Sequence, residues 1–320
     1  MKAPNNQGTH EIISAFLRDR QAQGLSPGTL HSYREKLGKL TAFCELQGIA
    51  DIFALSAHDI REYLLWLEEI GHNEGGRHAC YRAAKTLLRW CWEEWELETP
   101  NPISKVRAPK LTVAPIEGIS FDDVKALLAT CATKGFHDCR DKAIILSLLD
   151  TGCRANELLD INLDDLDEIA GVIVIRRGKG GKTRTVFIGA QARRAVRRYL
   201  RTFPPEEVAP VPGAPDRAGE AHRDGRPLWR TPEGTRLTYY GLREIMRRRA
   251  ARAGVPCPGL HDFRRTFALT CLRNGVDTIS LQRLLGHSSL AVLERYLAQT
   301  TDDLRNAHAR AGVVDGLFSS

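Results

Sequence analysis

The feature that most constrains this chain is the stretch at residues 100–115, PNPISKVRAPKLTVAP, which holds four prolines and no acidic residue. Proline locks φ and lacks an amide donor, so this stretch disfavours helix. It predicts an extended connection that divides 320 residues into two parts of ordinary domain size. The charge is divided with it. Residues 1–108 carry 13 Lys and Arg against 14 Asp and Glu, whereas residues 109–320 carry 33 against 25. An excess confined to the second part favours a polyanionic partner, although a solvated basic face produces the same number. No run approaches the ~18 apolar residues of a membrane helix, and the opening MKAPNNQGTHEI lacks the core of a signal peptide. A cytoplasmic protein without a membrane partner is expected.

The first hundred residues predict a bundle of about four helices, opening with one near residues 10–23. Ser26-Pro27 has the form of an N-cap followed by proline at the first helical position. Leu30, Tyr33, Leu37, Leu40, Phe43 and Leu46 then recur at steps of three or four, marking one apolar face. Ser56 is placed to cap a helix running to Ile70, with Ile60, Leu64 and Leu67 inward. The next helix is expected to follow a break at Gly75-Gly76, with Trp90, Trp92 and Trp95 in the core rather than stacked on bases. Beyond the prolines, Ser120 and Asp123 resemble a capping box, and a helix follows over 138–150. Val172–Arg176 and Thr183–Ile188 read as a β-hairpin around Gly178-Lys179-Gly180-Gly181, before an arginine-rich helix at 190–202. Residues 204–227 contain six prolines and read as a loop. Three to four helices complete the chain.

The eight cysteines form no C-x-x-C pair and sit mostly in apolar stretches, as buried thiols do. Neither a disulfide framework nor a metal site is suggested, and no cofactor motif is present. The G-K-G-G-K-T turn lacks the spacing of a phosphate-binding P-loop.

Four segments of the second part carry chemistry when taken together. Arg154 follows a turn glycine and opposes the dipole of the helix it opens, so it calls for an anion or for Glu157 three residues on. The hairpin tip offers Lys179 and Lys182. His261 and Arg264 share a helix face at i and i+3. His287 stands in Leu-Leu-Gly-His-Ser-Ser, nine residues before Tyr296. Singly, each has a bland reading as an ion pair, a solvated lysine or a core aromatic. Together, two arginines can hold non-bridging phosphate oxygens, a lysine can protonate a leaving oxygen, and a tyrosine can attack phosphorus. Guanidinium groups then do what a metal ion does in kinases.

The order Arg154, Lys179, His261-x-x-Arg264, His287, Tyr296 resembles that of the tyrosine recombinases, the phage-integrase and Xer-like enzymes. The resemblance implies a mainly α protein with a small β-hairpin or sheet in its catalytic domain. It divides the chain into a helical core-binding domain (1–103), a linker (104–115) and a catalytic domain (116–320), closing on duplex DNA as a C-shaped clamp. It assigns the catalytic roles to Arg154, Lys179, His261, Arg264, His287 and the nucleophile Tyr296, with Glu157 in support, and selects Lys179 over Lys182 as the acid. The partners it implies are double-stranded DNA with specific recombination sites and further copies of the chain. Two copies would occupy each site, four would form the synapse, and C-terminal segments would be exchanged in trans. Neither metal nor ATP is required. The nearly neutral first part is less basic than a DNA clamp requires, leaving its contacts to a few arginines and backbone amides. Two other readings stand beside this one: a type IB topoisomerase-like enzyme, and a DNA-binding regulator whose active site has lapsed.

Overall fold

A computed structural model describes residues 8–112, 117–176, 183–204 and 225–286, with 305 and 308. The chain forms two compact units, Met1–Ala114 and Pro115–Ser320. Among the described residues no helix is long and apolar enough to cross a membrane.

The first unit is helical: α1 (Thr9–Ala22), α2 (Pro27–Leu46), α3 (Ala57–Glu69) and α4 (Glu74–Glu94). Ser26 Oγ accepts the Thr29 amide at the start of α2. Ser56 and Asp59 satisfy each other's amides at the start of α3, so orphan donors at both ends find side-chain acceptors. Leu37, Leu40 and Phe43 are buried as their spacing predicts, but Leu46 is exposed because α2 ends there, beyond the core. Gly75-Gly76 does not interrupt α4. The pair lies in its first turn, where Asn73 Oδ1 accepts the Gly76 amide at 2.8 Å and the cap outweighs glycine's backbone freedom. Trp90 is buried, packed edge-on against Phe16 and Trp95, while Phe53 touches Trp92 and Trp95. The indoles are core. The first unit also keeps much of the proline-rich stretch: Val106 is buried in its core, Tyr81 donates to the Val106 carbonyl at 2.7 Å, and the Thr112 amide donates to Glu74.

The second unit contains α5 (Phe121–Ala129), α6 (Phe136–Thr151), α7 (Ala155–Leu159), α8 (Ala190–Leu200), α9 (Tyr239–Ala253), α10 (Leu260–Arg273) and α11 (Thr278–Leu285), with a small sheet that packs against α6. Helix α6 is buried on most of its surface, with Ala143, Ile144, Ile145 and Leu148 fully enclosed. The sheet is antiparallel in the order β1 (Leu166–Asp167), β2 (Val172–Ile175), β3 (Arg184–Phe187). Its register pairs Ile173 with Val186 and Ile175 with Arg184, turning Ile173, Ile175 and Val186 into the core. The two-residue β1 is too short for a period-2 pattern to announce it. Six of the eight cysteines are buried, Cys271 is half-buried, and Cys257 is exposed.

Candidate active site

The turn Gly152-Cys153-Arg154 connects α6 to α7 and organises the site. Gly152 ends α6 in the left-handed region at φ +57, a conformation glycine adopts without a Cβ penalty. Arg154 is the N-cap of α7. It lacks the short oxygen-bearing side chain that usually caps a helix, and Glu157 supplies the acceptor instead: its Oε2 takes the Arg154 amide at 2.8 Å. Glu157 Oε1 takes Arg154 Nη1 at 2.7 Å.

The same carboxylate holds a second arginine. Arg184, at the start of β3, donates Nη1 to Oε1 at 2.9 Å and Nη2 to Oε2 at 2.7 Å, a two-pronged pair. Burial alone would raise the Glu157 pKa, but the two guanidinium groups and the Arg154 amide hold it down at about 2. The Glu157 side chain is 4% exposed, that of Arg184 13% and that of Arg154 29%. Arg154 is the member of the trio that meets solvent. A surface Arg–Glu pair is therefore the wrong description: the carboxylate is interior, and one of its cations reaches out.

Helix α10 supplies the other described members. His261 lies in its first turn, exposed to solvent, and Arg264 one turn later is 1% exposed. The imidazole is held below its ordinary pKa by loss of hydration and then by the positive charges of Arg264, Arg265 and Arg154. It is thus biased toward neutral, able both to accept and to donate a hydrogen bond. Arg264 donates Nη1 to the Gly152 carbonyl at 2.8 Å and Nη2 to the Leu285 carbonyl at 2.7 Å. Sequence reasoning gave Arg264 two donors for a phosphate. In the fold two of its donors tie the turn before Arg154 to the end of α11, immediately ahead of His287.

Lys179, Lys182, His287 and Tyr296, and the C-terminal segment read as exchanged in trans, lie outside the described residues. Of the expected constellation, the structure brings together Arg154, Glu157, His261 and Arg264, and adds Arg184. Sequence reasoning passed over Arg184, yet a signal was there. In the alternating strand 183–188, Arg184 falls on the side of Val186 and Ile188, both buried, and a charge at such a position requires an interior partner.

A half-buried guanidinium anchored on a buried carboxylate, and an imidazole that feels its charge, are donors of the kind that can hold an oxyanion. Residues 117–302 match the sequence profile of the phage integrase family. The chain belongs to the phage integrase family of tyrosine recombinases. The tyrosine recombinase XerC of Staphylococcus carnosus is 32% identical over 294 residues, spanning 89% of this chain and 93% of that one. Among solved structures, the Tn1549 transposon integrase in complex with a circular intermediate DNA superposes with a TM-score of 0.73 at 17% identity, over 95% of this chain and 99% of that chain. A lambda integrase tetramer bound to a Holliday junction gives a TM-score of 0.70 at 14% identity, over 94% of this chain and 81% of that chain. The mainly helical architecture with a small antiparallel sheet is that of these recombinases.

Proposed function

We propose that this chain is a site-specific recombinase that cuts and rejoins duplex DNA through a phosphotyrosine link. The observation that carries the reading is Arg154, half-buried with part of its side chain open to solvent and fixed on the interior carboxylate of Glu157, in a chain of this family. In this reading Arg154 binds the non-bridging oxygens of the scissile phosphate and His261 adds a hydrogen bond. Arg264 shapes the pocket from the interior by tying the Gly152 and Leu285 carbonyls together. The Tyr296 hydroxyl passes its proton to an imidazole of the site, and its oxygen forms a bond to phosphorus as the bond to the 5′ oxygen breaks. Lys179 gives that oxygen its proton, leaving a 3′-phosphotyrosine and a free 5′-hydroxyl. Attack by the 5′-hydroxyl of a partner strand reverses the step and releases the tyrosine. His287 assists at the phosphate.

The first unit serves as the core-binding domain despite its neutral total charge. Along α4, His78, Arg82, Lys85 and Arg89 recur at steps of four, three and four, and with Arg20 they line a cleft of about 440 Å³. Such a stripe matches the spacing of helix-face contacts to a phosphate backbone. The two units close on DNA as a clamp, two copies occupy each site, and four assemble the synapse with C-terminal segments exchanged. The lambda integrase tetramer on a Holliday junction, a protein of the same fold, supports the assembly of four copies.

Covalent capture tests it. Nicked duplexes of randomised sequence, in which the fragment bearing the leaving 5′-hydroxyl diffuses away after cleavage, are incubated with the chain, and protein-linked DNA is recovered under denaturing conditions. Wild type should yield an adduct on a defined site, in EDTA as in buffer, and Tyr296→Phe should yield none while binding DNA equally. DNA binding with no adduct from wild type points to a regulator. Relaxation of any supercoiled plasmid by isolated subunits points to a topoisomerase.

A further inference from the structure

We infer that Arg184 is a positioning residue for Arg154, acting through the carboxylate they share, so that the Arg154 guanidinium is held where a phosphate meets it. The inference rests on the reading of Arg154 as a phosphate ligand.

The geometry separates this role from simple neutralisation of a buried acid. One guanidinium is enough to balance Glu157, and Arg154 already provides one at 2.7 Å. Adding Arg184 brings two like charges onto one carboxylate, which is unfavourable unless something is gained. The arrangement fixes Glu157: both of its oxygens are engaged by the Arg184 fork, at 2.9 and 2.7 Å, and each also accepts a donor from Arg154. Arg154 on a free carboxylate would sample several rotamers, whereas on a clamped one its Nη1 has a single anchoring point. Repulsion from Arg184 then turns the Arg154 donors that Glu157 does not take outward, in keeping with the greater exposure of Arg154.

Arg184 is itself walled in. Gly286, at φ +66, closes α11 against it: a Cβ at position 286 would lie 2.7 Å from Arg184 Cδ and 2.8 Å from Nε. The start of β3 and the end of α11 therefore both bear on the orientation of Arg154.

The test is a double-mutant cycle on the duplex that wild type captures covalently, followed by single-turnover adduct formation at saturating DNA. Arg184→Ala should slow the reaction on the order of 10²-fold, the scale of a misplaced catalytic group, with the dissociation constant for DNA little changed. In an Arg154→Ala background, followed over hours, the same substitution should cost less than ~3-fold, because the group it positions is gone. Arg184→Lys keeps the charge but loses the fork, and should fall between wild type and Arg184→Ala. If Arg184→Ala does not fold, by circular dichroism, the cycle is run with Arg184→Lys. Losses that multiply, or an Arg184 variant as fast as wild type, overturn the positioning role while leaving Arg154 in place. Full activity of Arg154→Ala removes the phosphate-ligand reading, and the inference with it.

Discussion

Arg264 spans from α10 to the carbonyl of Gly152, a contact of 2.8 Å between a fully enclosed guanidinium and the last turn of α6. With its second bond to Leu285 it fastens the ends of two helices to a third. Arg264→Lys keeps the charge and cannot span both carbonyls, leaving one polar group unsatisfied in the interior. A loss of about 1–3 kcal/mol is expected, seen as a fall in Tm of roughly 2–4 °C per kcal/mol. Adduct formation should fall in the same variant. Unchanged Tm with lost activity would mean that Arg264 acts on substrate alone.

Acid should act on Glu157 in a defined window. Its folded-state pKa of about 2 lies below the ordinary value of 4.5, so its contribution is complete above about 4.5 and is lost as pH falls toward 2. The depression corresponds to on the order of 3 kcal/mol. Asp138, also held near 2 by hydrogen bonds that outweigh its burial, contributes over a narrower range, from its ordinary 3.8 down to about 2. Urea midpoints measured from pH 7 to pH 3 should drop more steeply for wild type than for Glu157→Gln. Parallel curves would contradict the assignment.

Asp141 is the centre of a second interior network. Arg140 Nε reaches its Oδ1 at 3.0 Å and Arg249 Nε its Oδ2 at 2.8 Å, and both arginines are 3% exposed. Asp141→Ala takes the carboxylate from buried Arg140 and leaves buried Arg249 with Asp138 alone, and should cost about 3–5 kcal/mol. Lys125→Ala, which breaks an exposed pair with Asp122, should cost about 0–1 kcal/mol. Thermal melts of the two variants side by side check the contrast, and similar Tm values would show that the network contributes little.

The stripe on α4 can be tested without knowing the recombination site. If Arg82 and Arg89 contact phosphates, Arg82→Gln and Arg89→Gln should each weaken binding to any duplex. Each should also flatten the slope of log K against log salt by about 1. A slope equal to that of wild type would return the stripe to an ordinary solvated face.

Much of this molecule is written in local chemistry. Ser26, Ser56 and Ser120 cap helices because a hydroxyl can satisfy an orphan amide two or three residues away, and that rule acts within one turn. The hairpin strands follow from their alternation, and the ordered set from Arg154 to Tyr296 carries the family. The distribution of tasks among the arginines was decided elsewhere. Arg154 and Arg264 look alike in sequence, yet one is 29% exposed at its side chain and the other is enclosed. Only the approach of α10 to the ends of α6 and α11 creates the carbonyls that Arg264 serves. Arg184 stands 27 residues from Glu157 in the chain and 2.7 Å from it in space. A local code fixes caps, periods and motifs because those interactions close within a few residues. Which cation reaches solvent and which is spent on the interior depends on distant segments meeting, and the packing of the whole unit determines that.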